Sequence, residues 1–311
     1  MYRWLLDVCL AVLMVWAVTV LSSVLVRQAP RQIELQQTTA ESQAPEMTIG
    51  VLRGESVSYM PLEDYLVGVL LCEIPADFHE SAKQAQAVVA RTYALRTAEQ
   101  GRKHGIGIIC DDPGCCQGYL SEQEYRQKWG VSWPVNQARA AVEATRELVV
   151  TYEGQLIDAT YFACSGGKTE DAAAVWGADV PYLRSVESPG EEDSRYFVNT
   201  VTFGLDAFCA RLGIGSVGDI TVTEYTVGGG AAQVRVGDKL FSGTRLRDLL
   251  GLRSTSFSVT LDGDSVTFST RGFGHRVGMS QYGADAMAES GCNFEEIIRH
   301  YYSGVEITKI N

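Results

Sequence analysis

The chain opens on an unbroken apolar stretch. Val8 to Val26 holds nineteen residues without a charge, about 28 Å at the helical rise and close to the hydrocarbon thickness of a bilayer. A cleaved signal peptide is the alternative, and the small Ser22 and Ser23 permit it. The run is longer than a usual signal core and lacks a clean A-x-A site before Arg27. The pattern therefore predicts a retained transmembrane anchor over 8–26 behind a short tail, residues 1–7. Arg3 precedes the span while Arg27 and Arg31 follow it, so charge asymmetry leaves the orientation open. A short tail ahead of a large domain points to export of that domain. Residues 27–46, rich in Gln, Thr, Ser, Ala and Pro, have little to bury and read as a flexible tether.

From Met47 the pattern becomes that of a folded domain. Thr48–Leu52 and Ser56–Tyr59 alternate as short strands around Gly54. Pro61 suits the first position of a helix running to about Cys72. Pro75 interrupts, and a second helix is predicted over Glu80–Gln100, with Ala82, Ala85, Val89 and Tyr93 on one face and Gly101 as its stop. His104–Gly118 is a loop rich in Gly and Cys. Ser121 with Glu124 marks a capped helix, and Pro134–Thr145 another. Leu148–Tyr152 and Gln155–Phe162 form a hairpin around Glu153-Gly154. Strands then dominate: Val198–Phe203, a hairpin Ile220–Val227/Ala231–Val236, and the pair Ser256–Leu261/Ser265–Arg271, with short helices at Leu205–Leu212 and Thr244–Leu250. Asn293 with Glu296 caps a last helix. The expected class is α+β. A helical first half surrounds the cleft and a strand-rich second half follows, all within residues 47–311. Residues 198–271 read as an inserted or separate β-rich subdomain.

Composition changes this picture little. The 311 residues are 46% hydrophobic and 21% charged, as a well-cored protein should be. The net charge of −12 argues against nucleic acid or anionic lipid as the main partner and leaves a neutral or sugar ligand.

Glu73 is the sharpest chemical candidate. It falls at the end of the first helix, among Leu70, Leu71 and Ile74. Partial burial and the negative end of the helix dipole both favour its protonated form, which is what a general acid needs. Arg91 on the next helix is expected near it, binding substrate or orienting the acid, but offset, because a close pairing would lower the carboxyl pKa. His104, Cys110 and Cys116, spaced H-x5-C-x5-C with Cys115 in reserve, suit a tetrahedral Zn2+ with one position open. A disulfide among these cysteines is the competing reading. No H-E-x-x-H is present, so a zinc peptidase is not indicated. Ser165-Gly166-Gly167 leaves a strand, either as a backbone surface open to sugar oxygens or as a plain tight turn. His275, Ser280, Gln281 and Tyr282 form either a hydrogen-bonding wall or a structural loop held by His275. Cys72, Cys164, Cys209 and Cys292 read as small buried hydrophobes. Glu63, Asp64, Asp77 and Glu80 read as helix-end or surface charges.

Three stretches carry a resemblance: L-C-E-I-P-A-D-F-H-E-S-A-K-Q-A-Q-A-V-V-A-R-T-Y-A-L, S-G-G-K-T and G-F-G-H-R-V-G-M-S-Q-Y-G-A. In kind and order they resemble the stage II sporulation protein D family of endospore-forming bacteria, over about Met47 to Asn311. The resemblance implies a lytic transglycosylase that cuts peptidoglycan glycan strands between N-acetylmuramic acid and N-acetylglucosamine during engulfment of the forespore. The product would be a 1,6-anhydro end. It implies that Glu73 is the catalytic acid and that Arg91, Ser165, Gly166, Gly167, Lys168, His275 and Gln281 bind substrate. It implies Zn2+ on His104, Cys110 and Cys116 in those members that carry the loop. It further implies stage II sporulation proteins P and M as partners, a preference for glycan stripped of stem peptides, and a place in the mother-cell membrane at the forespore septum with the domain on the wall side. Amidase-enhancer proteins share the domain, so a non-catalytic glycan binder is the alternative. A zinc-dependent hydrolase working without Glu73 is a third reading.

Overall fold

A computed structural model describes residues 46–310. The expected anchor over 8–26 and nearly all of the expected tether over 27–46 lie outside the described residues. Among the described residues no helix is long and apolar enough to cross a membrane.

β1 (Thr48–Arg53) and β2 (Ser56–Pro61) pair antiparallel, Thr48 opposite Pro61. Pro61, at φ −54° and ψ 136°, closes β2 and precedes α1 (Leu62–Glu73), one residue later than the sequence suggests. α1 ends because Ile74 is extended (φ −118°, ψ 136°), the conformation a residue before proline prefers. α2 (Glu80–Gln100) has the predicted bounds. His79 caps it by accepting the Ser81 N–H, and Gly101 ends it at φ 60°. β3 (Ile108–Cys110) runs parallel to β1 and completes the sheet β2-β1-β3. α3 (Glu122–Trp129) opens on the expected capping box of Ser121 and Glu124, and α4 (Trp133–Ala144) follows.

The strand expected over 155–162 breaks in two. β4 (Leu148–Tyr152) pairs with β5 (Gln155–Leu156), whereas β6 (Tyr161–Phe162) belongs elsewhere. Between them the Asp158 N–H donates to the Tyr182 hydroxyl and the Thr160 N–H to the Asp158 carbonyl, so the ladder is interrupted. α5 (Ala172–Trp176) was not anticipated; five residues are too few to show a period. The strand-rich stretch comprises β7 (Val198–Gly204), α6 (Leu205–Leu212), β8 (Ile220–Tyr225), β9 (Ala231–Val236), β10 (Lys239–Ser242), α7 (Gly243–Leu250), β11 (Phe257–Asp262) and β12 (Ser265–Arg271). β13 (Met279–Ser280), α8 (Gln281–Glu289), α9 (Phe294–Tyr301) and β14 (Glu306–Lys309) complete the α+β fold. β13 lies parallel to β6, and β14 joins β4 and β5.

Two hydrophobic cores result. The larger is built on α2, which packs against α1, α4, β4, α8 and α9. Periodicity predicts one buried face, yet Ala82, Ala85, Ala87, Val88, Val89, Ala90 and Ala94 are all buried. Their small side chains let neighbours close in from several sides, and this makes α2 a central helix instead of an amphipathic surface one. The smaller core, with Phe203, Phe208, Leu246, Val266 and Phe268 at its centre, lies wholly within residues 198–271, between the sheets β10-β9-β8 and β11-β12-β7 and the helices α6 and α7.

Candidate functional site

Glu73 is the last residue of α1 and lines a groove of about 680 Å³. Burial pushes its carboxyl pKa up; the Gly118 N–H and the Gln281 side chain oppose that rise. Gly118 donates to Oε1 at 2.6 Å. Any side chain there would displace its neighbours: a Cβ at position 118 would lie 2.6 Å from Cys72 Sγ and 2.9 Å from Glu73 Oε1. No cation is ion-paired to Glu73 among the described residues, so only these two hydrogen bonds oppose the loss of solvation. The expectation that α1 would end beside a partly buried acid agrees with this geometry.

A polar layer beneath the groove fixes the 117–118 backbone. Gln117, almost fully buried, donates to the Tyr161 hydroxyl at 3.0 Å and to the Ala90 carbonyl at 3.3 Å, and accepts from the Tyr65 hydroxyl at 3.2 Å. Tyr161, Phe162, Tyr196, Phe273 and Tyr282 line the groove from one set of segments, and Tyr125 and Trp129 from α3. Aromatic faces beside a half-buried acid suit the apolar faces of sugar rings. Gln281, the first residue of α8, lines the groove with Glu73 and lies within 3.5 Å of Gln86 on α2. The sequence did not single out Gly118, Gln117, Gln86 or, apart from Tyr282, the aromatic walls. The Gly after a dense Cys run was the one available signal for Gly118.

Arg91 is not in the groove. It is fully buried and bidentate to Glu63, Nε to Oε1 at 3.0 Å and Nη2 to Oε2 at 2.6 Å, and it also donates to the Val142 and Leu148 carbonyls. Its guanidinium thus ties α1, α2, α4 and β4 together with four of its five N–H donors, and its full burial keeps it from a ligand in the groove. Glu63, taken from the sequence as a helix-end charge, is this buried partner. Cys72, expected in the core, is exposed at the groove.

The Ser165-Gly166-Gly167-Lys168 turn does not line the groove; its donors are spent on the protein itself. Ser165 Oγ and the Gly166 N–H both donate to Glu191 Oε2 at 2.8 Å, and the Gly167 N–H donates to Ser165 Oγ. Gly166 and Gly167, at φ 75° and 109°, make the wrap around that carboxylate. Glu191, nearly fully buried, also accepts from Ser188 and from Ser280, the residue that caps α8. Lys168 pairs with Glu187 at 3.1 Å. His275 is likewise a peg in its own loop. Its Nδ1 accepts the Val277 N–H at 3.1 Å and its ring lies 5.2 Å from Trp176 and 5.5 Å from Phe162. Burial, then the nearby Arg247, pushes its pKa down to about 4.

Neighbouring Arg276, not anticipated, holds the two cores together. Its guanidinium donates to the Ser165, Lys168 and Gly228 carbonyls and to Glu170 Oε1 at 3.1 Å. Glu170 Oε1 in turn accepts from Thr226 Oγ1 and the Gly230 N–H.

The loop leading to Gly118 gathers a donor cluster. One ligand atom each from His104, Cys110, Cys115 and Cys116 lies within 4.8 Å of the others, and the cysteines are free thiols. Cys115, held in reserve by the spacing argument, takes the fourth corner, its Sγ 3.4 Å from His104 Nε2. One imidazole and three thiols can hold a metal ion, and four such donors satisfy a tetrahedral preference.

A family model described as stage II sporulation protein matches residues 53–152. Stage II sporulation protein D of Bacillus amyloliquefaciens is 39% identical over 261 residues, covering 82% of this chain and 76% of the relative. The chain belongs to the stage II sporulation protein D family. The corresponding protein of Bacillus subtilis (strain 168) is 38% identical over 262 residues with the same coverage. An amidase enhancer of Bacillus subtilis is 30% identical over 300 residues, which cover 78% of this chain and 40% of that protein. The stretch matched by the sporulation family model runs from the end of β1 to the end of β4. It therefore contains Glu73, the Glu63–Arg91 pair, Gly118, Tyr125, Trp129 and all four donors of the cluster, while the rest of the aromatic lining and Gln281 lie beyond it.

Proposed function

We propose that this chain is a lytic transglycosylase that cleaves peptidoglycan glycan strands between N-acetylmuramic acid and N-acetylglucosamine. The observation that carries the reading is that Glu73 is the one acid among the described residues that line the groove. A hydrolase of the two-carboxylate type needs a second acid to supply water or a nucleophile. A transglycosylase does not, because the nucleophile is the substrate's own hydroxyl. Glu73, protonated, gives its proton to the bridging oxygen as the C1–O bond breaks and an oxocarbenium-like centre forms at muramoyl C1. The C6 hydroxyl adds to C1, and its proton returns to the Glu73 carboxylate. The product carries a 1,6-anhydro ring and Glu73 is protonated again.

The aromatic walls serve as platforms for the flanking sugars, and Gln281 positions the Glu73 carboxyl. His104, Cys110, Cys115 and Cys116 fit Zn2+ with no position left for a reactive water, so the ion would brace the loop that ends at Gly118. This favours a structural ion over a zinc-dependent hydrolase. The biological setting proposed with the activity is engulfment during sporulation. The domain would be tethered to the wall side of the mother-cell membrane at the septum, act with stage II sporulation proteins P and M, and prefer glycan freed of stem peptides.

A second reading has one observation behind it: the likeness to an amidase enhancer. On that reading the groove binds glycan and the chemistry belongs to a partner. Mass spectrometry of peptide-free glycan incubated with the purified chain separates the two. Anhydro ends that disappear in Glu73→Gln support the transglycosylase; strands left intact by the parent chain overturn it.

A further inference from the structure

The groove holds two cations that the reaction described above does not use. Lys128, at the end of α3, places its Nζ 4.4 Å from the centre of the Trp129 ring. Arg195 lies 4.7 Å above Tyr196 and donates to its hydroxyl at 2.8 Å. Both line the groove, both are exposed, and they come from separate segments of the chain. Neither is ion-paired to a described carboxylate. Glu192 and Asp193, close to Arg195 in sequence, do not line the groove. Arg253 also packs over Tyr196 and Phe273, at 5.5 and 5.4 Å, and donates to the Arg195 carbonyl, so the segment carrying Arg195 is itself braced.

Two unpaired cations on aromatic platforms in a chain of net charge −12 are a local reversal of sign. In a wet groove such cations attract an anionic group on the ligand, and a guanidinium matches a carboxylate in two-pronged geometry. Peptidoglycan sugars offer one carboxylate chemistry: the lactyl group on muramic acid, which is charged when free and a neutral amide when a stem peptide is attached.

We infer that Arg195 and Lys128 form a carboxylate-reading subsite of the groove, selecting glycan whose lactyl groups are free. The inference rests on the saccharide reading of the groove and adds the residues that set its charge preference. The rings of Tyr196 and Trp129 hold the two cations in place, and the cations meet the carboxylates that project from sugars lying along the groove.

Calorimetric titration of the full chain carrying Glu73→Gln, which prevents turnover, tests this with three probes of equal length: peptide-free glycan, chito-oligosaccharide, and glycan with stem peptides attached. The expected result is peptide-free glycan binding roughly tenfold more tightly than chito-oligosaccharide at low salt, with the preference fading as salt rises. Glycan with stem peptides should lose the advantage. Arg195→Gln with Lys128→Gln should erase the preference while leaving chito-oligosaccharide affinity unchanged, and Arg195→Lys should keep part of it. Both residues are exposed, and an unchanged circular dichroism melt confirms that the variants fold. Equal affinity for peptide-free glycan and chito-oligosaccharide, or a preference that survives the double substitution, overturns the subsite and leaves the saccharide groove standing. Binding of none of the probes overturns both.

Discussion

The two ends of α1 carry the same side chain in opposite circumstances. Glu63, in the first turn, is buried against Arg91 and bonded through both oxygens. Glu73, in the last turn, is half-buried with one backbone N–H and an amide for company. At the first site a matched cation stands in for the water that burial removes, and the positive end of the helix favours the charge. At the second neither helps, and burial raises the carboxyl pKa. Burial alone therefore does not mark a proton donor; burial without a cation does. The first end is a structural joint and the second is fit for acid chemistry.

Breaking the contrast at Glu73 should have the largest effect. Glu73→Gln is expected to lower the rate of anhydro-end formation by about a thousandfold or more, measured by product analysis, with the fold intact. The same substitution sharpens the comparison through stability. The folded chain holds the Glu73 proton more tightly than the unfolded chain, so ionising Glu73 works against the fold. That penalty is absent below about pH 4 and complete once pH passes the raised folded pKa. Glu73→Gln should thus melt higher than the parent at pH 8 and alike below pH 4; a lower melt at pH 8 would contradict the assigned cause.

Arg91→Met attacks the other end. It strands Glu63 in the core and should cost roughly 3 kcal/mol or more in denaturant unfolding. A binding role in the groove would instead show as lost affinity at unchanged stability. Gly118→Ala comes next. Its Cβ meets Glu73 Oε1 and Cys72 Sγ, and we expect roughly a tenfold loss of rate with little change in melting. Chelation acts on the same loop from the far side: it should increase protease cleavage within 104–118 and lower activity without unfolding the chain. The smallest effect belongs to Gln281→Leu. Its amide pulls the Glu73 pKa down against burial, so its loss should move the alkaline limb of the rate profile to higher pH.

Much of this was legible before any coordinates. α2 is bounded by local signals, His79 at one end and Gly101 at the other, and both its limits were read correctly. The capping boxes at Ser121 and Asn293 were equally plain. The place of Glu73 at a helix end among apolar flanks was legible because helix end, flanks and proline are all local in the chain. What the sequence hid was partnership. The assignment of Arg91 to the cleft failed because Glu63 is 28 residues away, and only the packing of α1 on α2 brings them together. The S-G-G turn has the composition of a ligand-binding backbone, but its ligand is Glu191, a residue with no local feature to announce it. Cys115 differs from Cys116 by one position, and spacing cannot say which of two adjacent thiols turns inward; here both do.

The pairing of β7 with β12 carries a consequence for how such chains vary. Val198 stands opposite Arg271, so the chain enters and leaves the smaller core at neighbouring points of one ladder, about 5 Å apart. A relative that had lost this block would need only a tight turn to rejoin 197 to 272, and the groove walls would keep their places. The scar would be found elsewhere: Arg276 and Glu170, now capped by Gly228, Thr226 and Gly230, would be left facing water.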